Sequence, residues 1–127
     1  MALTRDQVRA QYAYESVQDY FASATAKDRD EYKIAVNGFG ANIIRSGLAV
    51  TLAFLERSRQ DQRRTADREF MSHLAGAGVP YLTEATEETL PGLVRAMPVE
   101  HYMVATRELL RLGHWFKRAV QALGGEG

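Results

Sequence analysis

Residues Tyr32 to Glu56 read YKIAVNGFGANIIRSGLAVTLAFLE, and this stretch decides the fold. Only Lys33 and Arg45 carry charge before Glu56. Ile34, Val36, Phe39, Ile43, Ile44, Leu48, Val50, Leu52, Phe54 and Leu55 recur at mixed three- and four-residue steps. That pattern is helical, with apolar residues on more than one face, and predicts a central helical hairpin wrapped by other helices. Gly47, between Ser46 and a fresh apolar run, suits a C-terminal cap or a tight helix-to-helix turn. Gly38 and Gly40 mark a second place for a kink, since glycine costs a helix interior roughly 1 kcal/mol relative to alanine.

Outward from this stretch the pattern stays helical. Thr4 with Gln7 forms a capping box for a helix from about Arg5 to Ala24, carried by Val8, Tyr12, Val17, Tyr20, Phe21 and Ala24. Asp28 with Glu31 forms a second box that opens a helix into the central segment. Ala66, Phe70, Met71 and Leu74 predict a helix from about Asp61 to Ala75, ended by Gly76, Gly78 and Pro80. Pro91 and Pro98 keep any helix between Thr83 and Pro98 short. A last helix runs from about Val99 to Leu123 on an apolar stripe of Ala105, Leu109, Leu112, Phe116, Val120 and Leu123. Strand alternation and internal repeats are absent. The expectation is an all-α single domain, a bundle of five to six helices with residues 124–127 as a frayed tail.

Composition narrows the function classes. A chain of 127 residues with 46% hydrophobic content suffices for one domain with a real core. There is no cysteine, which removes disulfides and cysteine-ligated zinc and fits an intracellular setting. MALTRDQVRA has no apolar core of a signal peptide, and charges interrupt every potential membrane span. Phosphate-binding glycine loops, nucleophile elbows and repeated Glu-x-x-His pairs are also missing. The nearest approach to a metal pair is Glu69 and His73, one helical turn apart, so no cofactor is expected.

With a formal net charge of zero, a nucleic-acid surface has to come from uneven distribution. Two basic features stand out. Arg57, Arg59, Arg63, Arg64 and Arg68 crowd a polar stretch, and Arg107, Arg111, His114 and Arg118 follow one face of the last helix, with Lys117 beside them. Helix faces are commonly charged because they are solvated. A solvated face usually mixes signs, however, and this one carries no acid on its line, Glu108 lying to one side. The acids gather instead at Glu84, Glu87 and Glu88. Arg107, Arg111, Arg118 and Lys117 are therefore the first candidates for phosphate contacts, then Arg63, Arg64 and Arg68. Arg45 is a further candidate, as a charge in an apolar segment that reaches solvent or a partner. Base stacking requires exposed aromatics, for which Trp115 and Tyr102 are the candidates, although both read as core-margin residues.

Three stretches resemble one family. Tyr32-Lys33, Ser46-Gly47-Leu48 and Thr51-Leu52-Ala53-Phe54-Leu55 are similar to the signature of the small subunit of type III-B CRISPR RNA-guided effector complexes, the Cmr complexes. Arg9 to Val17 resembles the family's start, and Tyr102 to Glu108 with Leu112 and Trp115 to Arg118 resembles its last helix. Ser46 stands where asparagine is common, and Gly38-Phe39-Gly40 where a basic residue, an aromatic and proline are expected. The resemblance implies a non-catalytic, cytoplasmic, all-helical subunit of an antiviral ribonucleoprotein. Such subunits stack as a minor filament of several copies beside the guide-carrying backbone, touch the large subunit, and line the channel of the guide and target RNA. The related type III-A small subunit, a helical adaptor without a nucleic-acid role, and a metal-binding bundle around Glu69 and His73 are the alternatives.

Overall fold

A computed structural model describes residues 2–61 and 65–124, with the side chains of 58–61 outside that description. Six helices follow in order: α1 Arg5–Ser23, α2 Ala26–Ser46, α3 Leu48–Asp61, α4 Thr65–Ala75, α5 Leu90–Ala96 and α6 Val99–Leu123. There is no strand among the described residues. None of these helices is long and apolar enough to cross a membrane.

Helix starts follow local chemistry. The Thr4 hydroxyl accepts from Gln7 N at 3.1 Å, and Thr4 N donates to Gln7 Oε1 at 2.8 Å, which is the expected capping box of α1. α2 begins earlier than expected. Thr25 is its cap, with its hydroxyl accepting from Asp28 N at 3.1 Å, so Asp28 lies within the first turn. Both residue types can cap, and the one three positions upstream captures the orphan amide.

α2 passes through Gly38 and Gly40 without a break, because the surrounding burial of Tyr32, Val36, Phe39 and Ile43 outweighs their intrinsic cost. The break falls at Gly47, whose φ of +91° a side chain would strain. Gly47 N donates to Ile43 O at 2.7 Å, closing α2, and the Gly47 carbonyl accepts from Thr51 at the start of α3. From α6, the Tyr102 hydroxyl accepts from Ala49 N at 3.1 Å and satisfies another orphan donor of that turn.

The hairpin of α2 and α3 is therefore real, but each helix buries one face only. Leu48, Thr51, Leu52 and Leu55 point inward from α3, while Ile34, Ile44, Val50 and Phe54 are exposed. α4 closes over the hairpin through Ala66, Phe70, Met71 and Leu74. α6 packs against α1 and α2 with Ala105, Leu109, Leu112, Phe116 and Val120, whereas Leu123 is partly exposed, at 38%.

Phe70 sits at the centre of the core, meeting Phe39, Phe116 and Tyr32 edge-on at ring distances of 5.2, 5.5 and 5.6 Å. Phe39 also sets the approach of α2 to α6. A Cβ on Gly113 would lie 2.8 Å from its ring. Alanine at 113 improves helix propensity by about 1 kcal/mol, yet overpacking costs typically 1–3 kcal/mol. Gly113→Ala should thus lower stability in denaturant unfolding, and Phe39→Leu in the same chain should recover part of the loss. An unchanged or raised midpoint for Gly113→Ala would show that the ring yields freely.

Candidate nucleic-acid interface

α6 is organised around a carboxylate that its sequence places beside the basic stripe. Glu108 is buried, not lateral to a solvated face. Its Oε1 accepts from Arg9 Nη2 at 2.6 Å and its Oε2 from Arg5 Nη1 at 3.1 Å. Arg9 Nη1 also donates to Asp6 at 2.9 Å. The Arg9 side chain is only 11% exposed and that of Glu108 9%, so both charges are largely withdrawn from bulk water. Desolvation works against the Arg9 charge, but bonding to Glu108 and Asp6 outweighs it and raises its pKa.

The ion pair turns the single acid in the middle of α6 inward. Arg107, Arg111, His114, Lys117 and Arg118 remain outward and exposed. Among the described residues Arg107, Arg111 and Lys117 have no acidic partner, and Arg118 donates from Nε to His114 Nε2 at 3.2 Å. The face anticipated from helical spacing is thus assembled, and from Arg107 to Arg118 it carries no exposed acid of α6, although Glu100 lies on the same line in the first turn and Asp6 of α1 borders it.

Docking α1 on α6 also creates a groove that spacing on one helix cannot reveal. Thr4, Arg5, Asp6 and Arg9 form one wall, and Leu110, Arg111, His114, Trp115 and Arg118 the other, around a volume of about 1020 Å³. Trp115 Nε1 donates to Asp6 Oδ1 at 3.4 Å across it. A second, shallower and mostly apolar depression runs along Tyr102, Met103, Thr106 and Leu110, flanked by Arg107 and Arg111.

The remaining candidates separate from this face. Arg68 donates to Glu87 Oε2 at 2.9 Å, so one of the acids set apart in the sequence neutralises one of the basic candidates. Arg45 is exposed in the last turn of α2, where a cation complements the helix dipole. Arg63, Arg64 and the Arg59 side chain lie outside the described residues. Sequence reasoning missed Arg5 and the wall position of Trp115. The available signal was Glu108 itself, a lone acid in the middle of a basic helix, with Arg5 and Arg9 one turn apart elsewhere.

The acids concentrate around the far end of α1. Tyr20 is pushed up to about 12, first by burial and then by the fields of Asp28, Glu69 and Glu31. Burial raises the Glu69 carboxyl, and Glu87 adds to the effect.

Comparison with known proteins places these features in a family. Residues 5–123, from the first residue of α1 to the last of α6, match the family model described as CRISPR-associated protein (Cas_Cmr5). The chain belongs to the Cmr5 family. It is 30% identical over 120 residues to the CRISPR system Cmr subunit Cmr5 of Thermus thermophilus, covering 94% of this chain and 96% of that protein. A crystal structure of a CRISPR-associated Cmr5 family protein from the same organism superposes with a TM-score of 0.78 at 32% identity, covering 95% of this chain and 98% of that one.

In this Cmr5-family chain the Glu69–His73 pair has a packing role. His73 Nδ1 lies 2.7 Å from the Tyr32 hydroxyl and Nε2 lies 3.4 Å from Glu69 Oε2. The tautomer that satisfies both keeps its proton on Nε2, leaving Nδ1 to accept from tyrosine. The imidazole stacks on Phe116 at 5.9 Å, and the Tyr12 hydroxyl donates to the His73 carbonyl at 2.6 Å. No group of three histidine or acidic side chains is placed to hold a metal ion among the described residues.

Two outcomes follow. Removing the charge of Glu108 leaves the half-buried Arg9 with only Asp6, so Glu108→Gln should cost about 1–3 kcal/mol in denaturant unfolding. Arg9→Met combined with Glu108→Leu should recover much of it, and a silent Glu108→Gln would show that the pair is already solvated. Burial lowers the His73 pKa from 6.5 to about 4, only partly opposed by Asp19. Between those values the unfolded chain binds a proton that the folded chain refuses, so stability falls as pH drops from 6.5 towards 4. The total loss is about 3 kcal/mol. The difference in unfolding free energy between wild type and His73→Gln should change with pH across that window, and a constant difference would place the imidazole in water.

Proposed function

We propose that this chain is the small subunit of a Cmr-type CRISPR effector complex, without catalytic residues of its own. It stacks in several copies beside the guide-carrying backbone, touches the large subunit, and meets bound RNA with the outer face of α6 in antiviral defence in the cytoplasm. What supports the reading is the run of exposed cations from Arg107 to Arg118 on α6, from which Glu108 is turned inward, in a chain whose family match covers residues 5–123. A guided complex takes sequence specificity from base pairing, so the protein supplies grip on the backbone. Unpaired guanidinium and ammonium groups are suited to that, since they bind phosphate irrespective of sequence and exchange it for released counterions. Arg107, Arg111, Lys117 and Arg118 carry this role.

Reconstitution with the other Cmr subunits and guide RNA tests the proposal. Charge reversal at Arg107 and Arg111 (R107E/R111E) should weaken target-RNA binding by the assembled complex equally across target sequences. The slope of log affinity against log salt should become shallower by about 2. Native mass spectrometry establishes beforehand that the variant still assembles. Unchanged target affinity at several salt concentrations would remove RNA contact from this face. Failure of the wild-type chain to co-assemble would remove the subunit reading itself.

A further inference from the structure

The groove between α1 and α6 has a composition that backbone grip alone does not require. Its walls pair cations with an aromatic ring: Arg111, Arg118 and Trp115 line one side, with Arg5, bound to Glu108, on the other. Its one exposed acid, Asp6, is already engaged by Arg9 at 2.9 Å and by the indole N–H at 3.4 Å. That second contact holds the indole by its edge, while the ring is half-buried against the core and keeps only its remaining surface on the groove wall. The Arg118 Nε is directed to His114, and its terminal amino groups have no partner among the described residues. At about 1020 Å³ the groove lies at the upper end of the range of small-ligand sites, roughly 300–1,000 Å³.

We infer that this groove holds an unpaired nucleotide, with its base stacked on the exposed part of Trp115 and its flanking phosphates against Arg111 and Arg118. The inference rests on the RNA contact proposed above and adds selectivity for the state of the strand. In an A-form duplex the bases are stacked on one another and cannot reach an indole. A single strand, a flipped nucleotide or a strand end presents a π-face, and base–aromatic stacking with a cationic rim is how sequence-tolerant single-strand sites are built. Arg107 and Lys117 lie outside the groove and remain free to follow backbone of either form.

The only tryptophan of the chain reports on its own occupancy. The full chain is titrated at low salt with a single-stranded oligouridylate, following tryptophan fluorescence, and end-labelled RNA gives the anisotropy in parallel. Quenching should saturate together with anisotropy. The same strand annealed to its complement should bind with little quenching, and a fully abasic strand should bind roughly 5- to 150-fold more weakly with none. Trp115→Leu should reduce affinity for the intact strand to that of the abasic one, with helical circular dichroism checking its fold. Binding without quenching, or equal affinity for intact and abasic strands, overturns the stacking site on wild-type protein alone. Absence of binding at low salt overturns it too. The backbone contact of the assembled complex is judged separately by R107E/R111E.

Discussion

A carboxylate held out of water by two guanidinium groups governs how this molecule is put together. Glu108 lies in the middle of its longest helix and would cost several kcal/mol if buried alone. Arg9 at 2.6 Å and Arg5 at 3.1 Å offset that cost, and both come from the first turns of α1. The relative placement of the two helices is therefore set by a directional contact as well as by apolar surface, which alone tolerates sliding. The same contact takes the acid off the face of α6 and carries Arg5 to the edge of the groove. Architecture and surface charge follow from one interaction.

The rest of the core is arranged to let α6 sit close. Gly113 accepts the Phe39 ring where any larger residue would collide, and Phe70 interlocks the rings of α2 and α6 from α4. His73, which sequence spacing offers as a metal ligand, is spent on this layer, between Phe116, Tyr32 and Glu69. A buried polar network whose members are satisfied specifies one packing arrangement more sharply than apolar contact does. Tyr102 performs the matching task at the other end, tying the α2–α3 turn to the start of α6.

Much of this was legible in the chain itself, for a definite reason. Helix positions depend on local periodicity and caps, so α1, the hairpin and α6 follow from their apolar spacing, and the break at Gly47 from its flanking sequence. The errors arise where two local signals compete or where tertiary structure decides. Thr25 and Asp28 both have capping side chains, and only geometry chooses. Ile34, Ile44 and Phe54 looked like core because apolar residues were counted without knowing how many faces would be covered. The basic face of α6 was readable because it lies within one helix. The groove was not, because Arg5 and Trp115 are 110 positions apart and meet only through the docking of α1. Arg68 needed the loop carrying Glu87 to be placed before its charge could be discounted.

The segregation of charge has a consequence for how the protein finds anything. Its formal total is zero, so at distances beyond the Debye length, about 8 Å at physiological ionic strength, it feels little net pull towards a polyanion. The acids near Tyr20 and the cations of α6 nevertheless give it a dipole. In the field of a nucleic acid such a body experiences a torque before it experiences an attraction. A neutral, polar chain of this kind is oriented by a charged partner before it is held by one, and what holds it is contact at short range.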